Sequence, residues 1–403
     1  MSELYQLPDG WAWRTVDDVL LDIKTGTTPP KNEQKYYDMP TIDWLSPSDF
    51  GECKELLNSK NKINEIALVD KKAKIYPPNS LLLVAIGATI GKVGISRQSV
   101  SSNQQITGLK FKDSVDIDFS YYWFVRIKQT VINTASTATL PIINQNGIKQ
   151  LPFPQPSLAE QKRIVQKLDA LFERIDKAIA LLQKNIDAAD NFMNSVLNEV
   201  FSDLEQNYNK HSVDELCTKI TDGTHSTPCY TDSGVPFLSV KDISNGVINF
   251  SNTRFISLEE HKLLSKRCNV EKNDLLYTKV GTTGIAKVVD VENEFSIFVS
   301  VALLKPKHDI IYNKFFQYML NSPNCYSQAQ KLTRGVANRN LVLKDIRGII
   351  FPVPPYQMQQ KIVAYLDEVS TQIEQVKLAQ QQKMQNLLDL KSSILDQAFH
   401  GKL

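Results

Sequence analysis

Two stretches of the chain carry an apolar stripe too long for an ordinary globular helix. Across 151–202 the apolar positions fall at Ile164, Leu168, Leu171, Ile175, Ile179, Leu182, Ile186, Ala189, Met193, Val196 and Val200. Steps of four and three residues make this a coiled-coil seam with one four-residue slip. About 45 residues here contain no Gly or Pro, and a proline-punctuated segment precedes them, which predicts a long helix behind a strong breaker. The stretch 349–400 repeats the first at an offset of 198 positions without a gap, with Phe153/Phe351, Pro154/Pro352, Gln161/Gln359, Leu168/Leu366, Asp169/Asp367 and Phe201/Phe399 among the matches. This copy starts on the same seam at Ile362, Leu366, Val369 and Ile373, puts Lys377 and Gln380 where Ile179 and Leu182 would stand, and is apolar again at Leu387 and Ile394. At ~1.5 Å per residue each helix is roughly 65–70 Å long, and the natural partner of each is the other. Lys377, Gln380 and Lys391 then either leave surface for a partner protein or set the register of the pair.

The segments between the helices follow a different pattern. In 1–150, short apolar runs at 42–45, 81–86, 93–95 and 109–111 are punctuated by Gly and Pro, as strands joined by loops would be. A helix is expected over 118–130, followed by a Ser/Thr-rich loop at 133–139. Residues 204–348 keep this order with diverged letters: Val213–Leu216 answers the amphipathic turn at 16–20, 221–225 answers 25–28, and 313–320 answers the 118–130 helix. A chain whose halves repeat at this scale reads as two modules and two spacers. The predicted boundaries are 1–150, 151–203, 204–348 and 349–403. The spacers match without a gap while the modules differ, so the spacing was held to one form and the module surfaces were free to change.

Composition narrows the chemistry. The 403 residues are 42% hydrophobic and 22% charged, with a net charge of +2, an ordinary globular balance. A chain that neutralised many phosphates alone would be more basic, so a nucleic-acid ligand would take part of its phosphate contacts from a partner. No run of 18 apolar residues and no signal peptide is present, which predicts a soluble cytoplasmic protein without membrane contact. Five cysteines without a CxxC pair and five scattered histidines support neither a zinc module nor a disulfide framework.

Enzyme-like strings fail on spacing. Gly87-Ala88-Thr89-Ile90-Gly91-Lys92-Val93 has three residues between its glycines, and Val93 replaces the magnesium-binding hydroxyl of a phosphate loop. Val353-Pro354-Pro355-Tyr356 imitates a methyltransferase tetrad but has Val where a polar group must hold the target amine. Pro8-Asp9 with Glu52-Cys53-Lys54 resembles a nuclease pattern only if the Pro-Asp-Gly turn is ignored. The polar loops are more suggestive. Thr25-Gly26-Thr27-Thr28 and 221–227 combine hydroxyls with glycine, as loops that approach a phosphate backbone do. The loop 331–340 joins Arg334, Asn338 and Arg339, side chains suited to guanine and adenine edges in the major groove.

Taken with the proline gateways 153–156 and 351–354, the Gln-(Lys/Gln)-(Arg/Lys)-Ile-Val-x-x-Leu-Asp helix starts and the string Thr221-Asp222-Gly223-Thr224-His225-Ser226-Thr227-Pro228, the chain resembles the specificity (S) subunits of Type I restriction–modification systems. The resemblance covers essentially the whole chain, although the first half keeps only a degenerate Thr25-Gly26-Thr27-Thr28-Pro29. It implies an α+β chain in which two strand-rich mixed α/β target recognition domains are separated by two long helices paired as an antiparallel coiled coil. Each domain would read one half of a bipartite asymmetric site in double-stranded DNA, and the helices would set the gap. Methyltransferase (M) subunits, two per chain, and restriction (R) subunits would be the partners, with S-adenosylmethionine, ATP and magnesium belonging to them. This subunit would be non-catalytic and hold no cofactor or metal of its own. The expected DNA contacts are Thr25, Thr27, Thr28, Ser46, Ser48, Lys92, Thr137, Thr139 and Asn144 in the first domain. In the second they are Thr221, Thr224, His225, Ser239, Lys241, Lys279, Thr282, Arg334, Asn338 and Arg339. A specificity subunit of a fused nuclease–methyltransferase system is the near alternative, and a coiled-coil scaffold that binds no DNA the remote one.

Overall fold

A computed structural model describes residues 5–51, 53–136, 140–335 and 339–403. The stripes form two helices, α1 (Leu158–Asn207, 50 residues) and α2 (Tyr356–Phe399, 44 residues). The chain divides into two units, Met1–Leu181 with Gln382–Leu403, and Leu182–Gln381. Each unit therefore holds the beginning of one long helix and the end of the other.

In the first unit a four-stranded antiparallel sheet runs in the order Leu20–Thr25, Ile106–Phe111, Ser80–Val84, Val93–Ser96. A second sheet runs Asn61–Ile63, Ile42–Leu45, Val100–Ser102, Ile75–Tyr76, and its middle pair is parallel. The other unit repeats the first sheet as Cys217–Asp222, Val301–Pro306, Leu275–Thr278, Ala286–Val288. Its second sheet keeps the parallel pair, Val235–Leu238 with Ser296–Ile297, but gains its outer strand, Tyr230–Thr231, on the opposite edge. A two-stranded ribbon closes each unit, Ala12–Thr15 on Pro152–Gln155 and Lys210–Ser212 on Ile350–Pro352. The gateway prolines fit there because a strand paired on one side only can lack some N–H donors.

The cores explain the division. Leu81, Leu109, Phe119 and Trp123 pack with Ile164 and Leu168 from the start of α1 and with Leu395, Ala398 and Phe399 from the end of α2. The other core joins Leu275, Leu304, Phe315 and Phe316 to Val363 and Leu366 of α2 and to Val196, Leu197 and Phe201 of α1. Phe399 lies 5.1 Å from Phe119, and Phe201 lies 5.9 Å from Phe315. Burying one such side chain is worth about 1.5–3 kcal/mol, so each helix end is anchored in a core. Of the remaining seam positions, Ile175, Ile186 and Ile373 are buried, whereas Leu171, Ile179, Leu182, Ile362, Val369, Leu387 and Ile394 are half-buried.

The polar seam positions bridge the two helices. Lys391 Nζ lies 2.7 Å from Asp176 in the first unit, with its ammonium 4.9 Å from the Phe172 ring, and Lys377 Nζ lies 2.9 Å from Asp190 in the second. The two lysines are 14 positions apart and so are the two aspartates, in reverse order, so both ion pairs obey one antiparallel register two heptads apart. The helix expected over 118–130 is instead two, Ile117–Arg126 and Lys128–Thr134. The bend at Ile127 lets both Ile127 and Val131 reach the core, and helix continues to Thr134, where a loop was expected.

Candidate nucleic-acid interface

Two glycines show how the polar loops are placed. A Cβ on Gly26 would lie 2.3 Å from the Asn103 carbonyl oxygen, and one on Gly223 would lie 1.9 Å from that of Ile297. In each unit the loop leaving the first strand of the antiparallel sheet thus crosses directly over the end of a parallel strand. Neighbouring loops are stitched to this crossing by backbone bonds. In the first unit Thr27 N donates to Ser102 O at 3.0 Å, Asn103 N to Leu45 O at 2.9 Å, Ala85 N to Gln105 O at 2.8 Å and Gly87 N to Pro141 O at 3.1 Å. In the second, Thr224 N donates to Ile297 O at 3.2 Å, Phe298 N to Leu238 O at 2.8 Å, Lys279 N to Ser300 O at 2.9 Å and Gly281 N to Arg339 O at 2.9 Å. Bridges Ser136/Ile142 and Arg334/Asn340 close equivalent hairpins. Five separate loops therefore meet at one end of each unit, and almost every predicted contact residue lies on one of them.

Their side chains are in different situations. Thr25 Oγ1 shares a hydrogen bond with Thr107 and accepts one from Gln145, Thr27 Oγ1 donates to Lys72 O, and Thr28 Oγ1 donates to Gln104. Ser46 and Ser239 close capping boxes with Asp49 and Asp242, and Ser48 bonds Ser46. Lys92 reaches Phe50 O, and Asn144 caps the helix Gln145–Lys149. Thr221 is half-buried and Thr224 bonds Ser226. Lys279 is only 5% exposed, with its ammonium 3.2 Å from the buried Asp222 carboxylate, so it holds the loop rather than facing solvent. Ser48, Asn144, His225, Lys241, Thr282, Arg334 and Arg339 are exposed. Arg334 pairs with Asp345 at 3.2 Å and Arg339 donates to Gln330. Thr137, Thr139 and Asn338, like Glu52, lie outside the described residues.

Sequence reasoning missed the loop Asn103-Gln104-Gln105, which lies between the glycine loop and the 85–92 loop. Its signal was legible: three consecutive amides, the side chains that read adenine edges. It also missed what the matched Gln161 and Gln359 do. Gln161, fully buried, accepts from Asp116 N at 2.7 Å and donates to Ser114 O and Pro156 O. Gln359 likewise accepts from Tyr312 N at 2.7 Å and donates to Ile310 O and Pro354 O. Asp169 accepts from Tyr122 and Lys54, Asp367 from Tyr318 and Lys314. The frames are clamped alike while the loops they present differ.

Three of the five cysteines are buried. Burial pushes the thiols of Cys217, Cys268 and Cys325 up to about 12, 11 and 12, where thiolate is scarce. Among the described residues no three His, Cys, Asp or Glu side chains stand close enough to hold a metal, and no helix is long and apolar enough to cross a membrane.

The family of Type I restriction modification DNA specificity domains matches twice, over residues 8–185 and 205–383. The specificity subunit of the Type I restriction enzyme EcoBI from Escherichia coli is 25% identical over 355 residues, covering 82% of this chain and 74% of that protein. The MjaIX specificity subunit of Methanocaldococcus jannaschii is 22% identical over 429 residues, covering 100% and 95%. Among solved structures, a chain from a study of complex assembly and conformational transition in the type I R-M system superposes with a TM-score of 0.74 at 22% identity, covering 99% of this chain and 100% of that one. The HsdS subunit from Thermoanaerobacter tengcongensis follows with a TM-score of 0.53 at 22% identity, covering 99% of each. At these identities the structural likeness is one of fold.

Proposed function

The chain belongs to the family of Type I restriction–modification DNA specificity proteins, and from that premise we propose that it is the non-catalytic subunit that chooses the DNA site. Residues 1–150 and 204–348 act as target recognition domains, each reading one half of a bipartite site in double-stranded DNA. The spacers 151–203 and 349–403 set the distance between the half-sites. The observation that carries this reading is the duplicated loop cluster: five loops converge alike in each unit, yet the loop that reads Asn103-Gln104-Gln105 in one reads Phe298-Val299-Ser300 in the other. An enzyme with two active sites would repeat the side chains; a reader of two different sequences repeats the frame and changes the letters.

The long helices also suit protein partners. Phe192 is 58% exposed and Leu378 63% in one unit, as are Leu181, Leu388 and Leu390 to similar degrees in the other. Partner subunits docked along the helices would cover these apolar side chains. Methyltransferase subunits, two per chain, dock there, and restriction subunits complete the nuclease. S-adenosylmethionine, ATP and magnesium act in those partners, and the complex works where the DNA is, in the cytoplasm.

The test is a domain exchange. Replacing residues 1–150 by the equivalent part of a relative should change one half of the methylated motif in genomic DNA and leave the other intact. If both halves changed in a normally assembled complex, modular reading would be wrong.

A further inference from the structure

The glycine loop of each unit has a second neighbour that belongs to none of the five converging loops. In the first unit the helix Glu65–Val69 ends at Asp70, and the chain turns through Lys71, with φ +54°, into Lys72-Ala73-Lys74. The Lys72 carbonyl accepts the Thr27 hydroxyl at 2.8 Å, which docks this turn on the glycine loop through backbone and leaves the side chains of Lys71, Lys72 and Lys74 exposed. The adjacent carboxylate, Asp70, is taken by Lys35 at 2.9 Å, so it does not neutralise them.

The other unit builds the same corner with different residues. The helix Leu258–Ser265 ends in Lys266-Arg267, and Arg267 Nη2 donates to the carbonyl oxygens of Asp222 and Gly223 at 2.7 and 2.5 Å. The buried Asp222 carboxylate meets Arg267 at 2.9 Å, Lys279 at 3.2 Å and the His225 ring at 3.2 Å. Two cations, Arg267 and Lys279, around a single carboxylate leave one positive charge over. Beside them opens a cavity of about 420 Å³ whose lining includes Thr224, His225, Ser226, Leu263, Arg267 and Ile297, none of them acidic. A lining that mixes hydroxyl and basic groups with apolar side chains matches a sugar–phosphate, whose anion needs donors and whose deoxyribose needs apolar contact.

We propose that this corner is a DNA-backbone seat in each recognition domain, holding phosphate with Lys71, Lys72 and Lys74 in the first and with Arg267 and His225 in the second. It rests on the DNA-reading function proposed above and adds to it the residues that supply affinity without sequence information. Lysines on a turn act as point charges and lack the planar fork that distinguishes bases. Set to the side of the base-reading loops, they fix how the duplex lies against them.

The experiment uses the full chain assembled with its methyltransferase partner and a fluorescent duplex, titrated between 50 and 200 mM salt. Changing Lys71, Lys72 and Lys74 together to Ala removes side chains only, so the turn stays docked through the Lys72 carbonyl. The slope of log affinity against log salt should fall by about 0.9 for each phosphate that is no longer neutralised. Motif and random duplexes should weaken alike, and the methylated motif should not change. Arg267→Gln should act the same way in the second domain, and Arg267→Lys should restore the slope because the charge is kept. A structural role alone would leave Arg267→Lys as impaired as Arg267→Gln. An unchanged slope in the lysine variant, or a motif relaxed at one position, would overturn the seat while leaving the DNA reading intact. A parent complex without salt-dependent duplex binding would overturn both.

Discussion

Gln161 shows how much one side chain can fix when it is wholly buried. Its amide satisfies one N–H and two carbonyl groups, and leaving such a group buried and unpaired costs about 1–3 kcal/mol. Gln161→Leu should therefore destabilise the first unit by at least ~2 kcal/mol. Faster hydrogen exchange should appear at the start of the helix Ile117–Arg126 and at the start of α1. Parent-like protection there would mean that other bonds hold the gateway. The residue was visible in the sequence as one of the matches at offset 198, but its purpose was not. A repeat shows that a letter is kept; the Ser114 and Ile310 carbonyls served by Gln161 and its counterpart Gln359 are more than 40 positions away in the chain. Lys279 erred in the other direction. A lysine in a glycine-containing loop reads as a phosphate ligand, and only the fold shows it closed over by strands with Asp222 as its partner.

At the scale of elements, the seam and the breakers were legible because helix periodicity and proline geometry act locally. The bend at Ile127 was not, because it answers to a core assembled from distant strands. Nor was the choice between a partner surface and a register device at Lys377 and Lys391, which depends on what stands opposite. Asp190 and Asp176 stand opposite, and partly exposed pairs of this kind add little stability. Gln380 carries a buried carbonyl oxygen without a hydrogen-bond partner among the described residues, which opposes folding. Giving α2 the letters of α1, by Lys377→Ile with Gln380→Leu, should therefore raise stability by about 1–2 kcal/mol, since apolar replacements of buried polar groups are often stabilising. Thermal unfolding measures it. A loss of stability would show that the polar residues hold the pair together instead of selecting its register.

For the whole molecule, the repeated spacer makes a quantitative demand. The Lys377–Asp190 register sets the junction after Ala188 opposite the junction after Leu378, so duplicating 182–188 and 372–378 adds one heptad to each helix and keeps the seam in phase. The pair lengthens by ~10 Å at ~1.5 Å per residue. DNA rises ~3.4 Å per base pair, so the gap between half-sites should grow by about three base pairs. Those base pairs also turn one half-site by roughly 100° about the duplex, at ~10.5 base pairs per turn. A recognition domain can follow that rotation only through supercoiling of the helix pair or bending of the DNA, and bending a short site costs of order 1–6 kcal/mol. The expected result is a methylated motif with the longer gap, formed more slowly than the parent motif by the parent complex. Sequencing methylated genomic DNA from cells that carry the lengthened chain reads both gap and extent. If a well-assembled lengthened complex still methylated the original spacing at full rate, the helices would not be what sets the distance.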